Sequence, residues 1–119
     1  MDRGEIYLGP FMYADLAGSK RRPVCVVSSP KYNAGPDVMV AMISSGARVA
    51  SPRIGDVVLS DWLQAGLLRP SVVRAGRLQV IERRFLSGQR GTLSVDDLAA
   101  VDQALKGILG LSSDEPRPT

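Results

Sequence analysis

The chain has no histidine among its 119 residues. That removes the usual imidazole general base, any triad built on histidine, and most zinc sites. It has one cysteine, so no disulfide can form within the chain, which fits a reducing compartment. That cysteine, Cys25, stands in a valine run and is expected to be a small buried hydrophobe. Aromatic residues make up only 5% of the chain and Trp62 is the single tryptophan. Set among apolar neighbours, Trp62 is expected to anchor packing rather than to stack on a base. There is no Gly-rich phosphate loop of the Walker type. No apolar run approaches the length that spans a bilayer, and no charged segment followed by an apolar one opens the chain. A cytoplasmic protein without a membrane partner is therefore expected.

What is present points to one globular domain. Hydrophobic residues make up 45% of the chain and the mean hydropathy is +0.03, values of a folded protein with room for a core. The net charge is +3 and the isoelectric point about 9.4, from an arginine-heavy basic set. This favours an anionic partner, nucleic acid first.

The most informative stretch is Lys20 to Ser29, KRRPVCVVSS. Val24, Val26 and Val27 between turn-formers predict a buried strand. Pro23 cannot donate to a ladder and is expected at the strand's first position. It also biases Arg22 toward extended backbone, which would hold a guanidinium rigidly beside Lys20 and Arg21. Such a group suits a phosphate, and an ordinary solvated strand end explains it as well.

The rest of the chain predicts five to seven short strands and one helix. Residues 3–8 alternate as a first strand with Ile6 and Leu8 on one face. Residues 9–21 are expected to form a long loop carrying Phe11, Tyr13, Asp15 and Lys20, a mixture suited to covering a polar polymer. A turn over 30–36 leads to a strand over 37–44. That strand ends at Ser44-Ser45-Gly46, whose hydroxyls can donate to a phosphate or simply make a turn. Residues 48–53 are expected to be irregular, and 54–59 to form a short strand. Ser60 is expected to cap one helical turn that Gly66 stops. The run over 70–81 is broken by Gly76, which marks a bulge or a close approach by another backbone, and by Arg74, which needs a partner or a wet cleft. A helical turn over 82–86 and a closing strand over 88–93 follow. Ser94 then caps a helix whose Leu98, Val101, Leu105, Ile108 and Leu109 form one apolar stripe. The polar tail, 112–119, is expected to be disordered, leaving 1–111 as the domain. The predicted class is mainly β (α+β), a small barrel or sandwich with one helix.

The order R-G-E-I-Y, R-R-P-V-C-V-V-S-S, V-A-M-I-S, D-W-L-Q-A-G-L-L-R-P-S-V-V-R and L-S-x-D-D-L-A-A-V-D-Q-A-L resembles the MazF/PemK family. These are toxins of type II toxin–antitoxin systems. The resemblance covers about Arg3 to Leu111, and the ordered set is far more specific than any one motif. It implies an SH3-like β-barrel with a C-terminal helix, acting as a homodimer. It implies metal-independent, sequence-specific cleavage of single-stranded RNA, mRNA above all, with no cofactor. It implies a MazE-like antitoxin whose tail occupies the RNA groove.

By the same resemblance Arg22 and Ser44 match catalytic positions. Arg74 matches an arginine that is catalytic or RNA-binding in another branch. That branch has an aspartate two residues later, where this chain has Gly76, and can use a histidine that this chain lacks. Glu5 is then the nearest candidate carboxylate, or a structural partner for an arginine such as Arg22. Lys20, Arg21, Ser45 and Arg77 are expected to contact RNA, and the loops 10–21 and 45–53 to set the recognised sequence. Two rivals share the barrel: a binding module that has lost the chemistry, and a gyrase-poisoning toxin working through the end of its helix. In this chain that end lacks an aromatic anchor.

Overall fold

The structure is a computed structural model, and it describes residues 1–11 and 20–111. The tail expected to be disordered, and Tyr13 and Asp15, lie outside the described residues. Six antiparallel strands form one open sheet in the order β4-β5-β3-β2-β1-β6. They are β1 (Glu5–Phe11), β2 (Lys20–Val26), β3 (Asp37–Ser45), β4 (Asp56–Val58), β5 (Ser71–Glu82) and β6 (Ser87–Thr92). Short helices α1 (Pro30–Asn33) and α2 (Ala47–Ala50) flank β3, and helix α3 (Val95–Leu109) closes the chain. Among the described residues no helix is long and apolar enough to cross a membrane.

The strand periodicity sorts the apolar residues onto two faces. Ile6, Cys25, Val27, Ala41, Ile43 and Val73 pack on one, together with Val101 of α3. Val24, Val26, Val38, Val40, Met42, Ile81 and Leu86 pack on the other. Cys25 is fully buried as expected, and burial pushes its thiol pKa up to about 12, so it is an inert hydrophobe. Trp62 packs against the first cluster.

Helix α3 follows its sequence signals. The Ser94 hydroxyl accepts from the Asp97 N–H, and Gly110 ends the helix at φ +70°. Leu98, Val101 and Leu105 face the core, whereas Ile108 and Leu109 remain half-exposed. Arg3 fixes the N-terminus to α3 through two bonds to the Asp102 carboxylate, and to the end of β2 through Nε, which donates to the Val27 carbonyl at 2.8 Å.

Several sequence expectations are corrected. Residues 9–11 and 20–22 are not loop: Gly9, Pro10 and Phe11 pair with Arg22, Arg21 and Lys20, so β1 and β2 extend toward each other. Gly9 looked like a turn glycine, yet its role is close approach. A Cβ there would sit 2.6 Å from Leu86 Cδ2. Pro23 is the fourth residue of β2 rather than its first. The β2–β3 ladder covers only Val24–Val26, so Pro23, which has no N–H, stands where that ladder stops. The turn over 30–36 contains α1, capped by the Ser29 side chain, and the irregular stretch after Ser45 contains α2.

Residues 60–66 make turns, not a capped helix. The Asp61 carboxylate accepts from the Gln64 N–H at 3.1 Å, while the Ser60 hydroxyl donates to Asp97 at 2.9 Å. The bulge expected near Gly76 is present. Ala41 pairs with Leu78 and Met42 with Arg74, so residues 75–77 are extra on β5.

Candidate functional site

Beyond Val24, β2 and β3 no longer pair, and a cavity of about 330 Å³ opens there. Arg22 and Pro23 of β2, and Ile43, Ser44 and Ser45 of β3, line it with Leu8 of β1 and Ser71 of β5. The remaining wall is the 66–69 segment together with Arg90 of β6. Arg22 and Ser44, matched on sequence to one site, are therefore brought together. The last pair of the β2–β3 ladder is Val24 with Met42, so Arg22 and Ser44 stand where the two strands part and the cavity opens.

Two lining residues escaped the sequence reading, Arg69 and Arg90. They are 21 positions apart in sequence and both reach the cavity because two glycines let the 65–66 backbone touch that of 90–91. A Cβ on Gly66 would lie 1.9 Å from the Arg90 carbonyl oxygen, and Gly66 has φ +79°. A Cβ on Gly91 would lie 2.6 Å from the Ala65 carbonyl carbon. The signal present in the sequence was an arginine beside a turn-former in each case, Arg69-Pro70 and Arg90-Gly91.

The 60–70 segment is held from beneath by the buried Asp97. Its carboxylate accepts from the Ser60 N–H and hydroxyl, each at 2.9 Å, and from the Asp61 N–H at 3.0 Å. Burial pushes the Asp97 pKa upward, but these donors and the Ser94 hydroxyl outweigh it, and the net direction is down. A carboxylate with a depressed folded pKa stabilises above its unfolded value, near 4, and that contribution is lost as pH falls through the folded value. Asp97→Asn is therefore expected to cost about 2–4 kcal/mol at neutral pH, by weakening three bonds to a buried charged acceptor. It is also expected to flatten the acid limb of stability below about pH 4. Urea titration of both proteins across the acid range checks this; parallel curves contradict it.

The other sequence candidates stand elsewhere. Glu5 accepts from the Tyr7 hydroxyl at 2.8 Å and the Asp2 N–H at 3.1 Å. Burial and that bond raise the Tyr7 pKa to about 12. Arg21 donates to the Leu8 and Phe85 carbonyls and to the Ser87 hydroxyl, tying the start of β6 to β1. Lys20 belongs to β2. Arg74 does not line the cavity; its Nε is 3.5 Å from Asp56 Oδ1, the partner that its place in the strand required. Arg77 is exposed in the bulge. The described lining of the cavity therefore carries three arginines and three serine hydroxyls, with no carboxylate. That composition suits an anion. Among the described residues no group of three His, Cys, Asp or Glu side chains could hold a metal.

With this geometry in view, comparison with known proteins is decisive. The model of the PemK-like, MazF-like toxins of type II toxin–antitoxin systems matches residues 2–109. The chain belongs to this family. A MazE–MazF crystal structure from Deinococcus radiodurans is 27% identical, with TM-score 0.72, covering 94% of this chain and 98% of that one. A MazF structure from the same organism is 26% identical, with TM-score 0.72, covering 92% and 96%. An endoribonuclease in complex with its cognate antitoxin, from a mycobacterial species, shares the fold at 22% identity, with TM-score 0.74 and 99% of both chains covered. Among curated proteins none matches. The MazF/PemK resemblance of the sequence is thus borne out, as is the mainly β class with five to seven strands and a C-terminal helix.

Proposed function

We propose that this MazF/PemK toxin is an endoribonuclease that cuts single-stranded RNA at specific sequences, by attack of the neighbouring 2′-OH and without a metal ion. The observation that carries this reading is the convergence of Arg22 and Ser44 with Arg69 and Arg90 on one cavity free of described carboxylates. In the proposed step the 2′-oxygen bonds to phosphorus as the bond to the 5′-oxygen breaks. A 2′,3′-cyclic phosphate and a 5′-OH result. The 2′-OH proton passes to solvent water, and the departing 5′-oxygen takes one from water.

Charge builds on the non-bridging oxygens of the phosphorane, and fixed donors aimed there lower the barrier. Arginine suits this because its planar fork keeps its charge. Arg22 is assigned to those oxygens and Ser44 to orienting the scissile phosphate. Arg69 and Arg90 are assigned to holding the flanking backbone. The sheet is proposed to close as an SH3-like barrel and the protein to act as a homodimer, with residues 1–111 as the working unit. The Deinococcus MazF structure includes MazE; a MazE-like antitoxin tail lying in the RNA groove is proposed for this chain too.

The test is incubation of the purified protein with a long, weakly structured RNA in EDTA. Discrete cuts at a recurring sequence are expected. An uncut RNA, or cutting that returns only with added magnesium, contradicts the proposal.

A further inference from the structure

The arginines and serines of the cavity suit a phosphate backbone, but its apolar residues do not. Leu8, Pro23, Ile43, Leu67 and Leu68 line it as well. Ile43 and Leu67 are buried, Leu8 and Pro23 are half-buried, and Leu68 is 92% exposed. Leu68 therefore stands at the mouth, and the others form an apolar wall further in.

Single exposed leucines are common on protein surfaces and need no explanation. Leu68 differs in being held firmly at a charged site. Ala65 and Leu67, on the same segment, are anchored in the core cluster that includes Val101 of α3. The Leu67 N–H donates to the Trp62 carbonyl at 3.1 Å. On the other side, the Ser71 hydroxyl donates to the Arg69 carbonyl at 2.9 Å, and Pro70 has a fixed φ. The backbone is thus pinned before and after Leu68. Burying a leucine is favourable, yet the fold leaves this one open beside Arg69.

The mixture of the lining points to the class of ligand. Three arginines without a described carboxylate suit a phosphate. An apolar wall beside them suits the part of the same polymer that has an apolar face, the nucleobase. At about 330 Å³ the cavity is at the small end of ligand sites, about 300–1,000 Å³, which gives room for one unstacked base rather than a stacked run. We propose that Leu68 is a wedge that packs on the face of one nucleobase swung out of the RNA strand into this apolar wall, while Arg69 and Arg90 hold the neighbouring phosphates. Leucine is among the side chains that can hold base steps apart in this way. The contact rests on the reading of the cavity as an RNA site.

The experiment is a fluorescence-anisotropy titration with two strands of one length and one backbone. One is a fully 2′-O-methylated, mixed-sequence oligonucleotide, which has no 2′-OH to attack with; the other is the same strand without bases. Leu68→Ser is expected to bind the base-bearing strand about 5–10-fold more weakly, the lower end of the loss when one side chain stacked on a base is removed. It is expected to bind the base-free strand as the parent does. The slope of log Kd against log salt is expected to keep its parental value, because no phosphate contact is lost. Leu68→Phe, with a flat ring that stacks on a base, is expected to bind the base-bearing strand at least as tightly as the parent. Leu63 is also exposed, at 71%, but does not line the cavity; Leu63→Ser is expected to bind both strands as the parent does.

Equal weakening of Leu68→Ser on both strands overturns the contact, because it means that the wall bearing Arg69 has moved. An unchanged affinity for the base-bearing strand also overturns it, and leaves Leu68 to an apolar side chain of a protein partner. So does an equal loss in Leu63→Ser, or a parent that binds the two strands alike or binds neither. Cleavage of unmodified RNA by the parent is read separately. A base-selective loss with an uncutting parent supports the contact and removes the nuclease reading. A cutting parent whose Leu68→Ser variant keeps its affinity does the reverse.

Discussion

Arg22→Ala is expected to lower the single-turnover rate of RNA cleavage by about 10²–10³-fold, the usual loss when one donor to a developing oxyanion is removed. Arg22 is exposed on β2, beyond the last residue that pairs with β3. Arg22→Lys keeps the charge but not the two-pronged geometry, and is expected to recover only part of the rate. Ser44→Ala, on the β3 side of the cavity, is expected to cost about 10-fold or more, because it loses alignment rather than charge. Rates measured with enzyme in excess over a single-site RNA decide this. An Arg22→Ala protein that cuts at the parental rate would remove Arg22 from the reaction.

The second large effect concerns the wall of the cavity rather than its chemistry. Gly66→Ala is expected to destabilise the protein by about 2–5 kcal/mol. A left-handed backbone costs an L-residue about 1–2 kcal/mol, and overpacking adds about 1–3 kcal/mol. The added methyl would meet the Arg90 carbonyl oxygen at 1.9 Å and the Arg90 carbonyl carbon at 2.5 Å, and backbone has no rotamer by which to retreat. Set against a total stability of about 5–15 kcal/mol, this is a fall of roughly 10–20 °C in Tm. Gly88→Ala is the internal control. It also has positive φ, +57°, but nothing lies within 4 Å of the added carbon, so only the conformational cost applies. Calorimetry on both variants separates the terms. Equal, small shifts would mean that the contact between the 65–66 turn and β6 does not hold the wall.

Sequence patterning made the architecture legible where local chemistry and tertiary need agreed. The valines after Pro23, the run over 37–44 and the Ser94-capped helix all formed as elements, and the glycine inside the 70–81 run marked the bulge that is there. Errors fell where one residue type serves two purposes. Gly9-Pro10 reads as a turn, yet the glycine is there because Leu86 packs against it, and the strand runs on to Phe11. Ser60 reads as a cap, yet its hydroxyl is claimed by Asp97, 37 positions later.

The site divides in the same way. Arg22 and Ser44 were singled out because the ordered motifs around them resemble the family's, and both line the cavity. Arg69 and Arg90 were not, because only the meeting of Gly66 with β6 puts them on one cavity. Arg74 was legible as an arginine in need of a partner, but no local pattern names Asp56 as that partner. Their pairing depends on the antiparallel register of β4 with β5.

The central claim is that the RNA's own 2′-oxygen is the nucleophile, with arginine charge stabilising the phosphorane. The most direct measurement is the chemical identity of the ends at the first mapped cut, made in EDTA. The account predicts an upstream fragment ending in a 2′,3′-cyclic phosphate and a downstream fragment with a 5′-OH, which polynucleotide kinase labels without prior phosphatase treatment. It also predicts that a single 2′-deoxy substitution at the cut nucleotide abolishes that cut alone. A 5′-phosphate on the downstream fragment, or continued cutting at the deoxy position, would mean that water attacks phosphorus directly and would contradict the mechanism built here on Arg22 and Ser44.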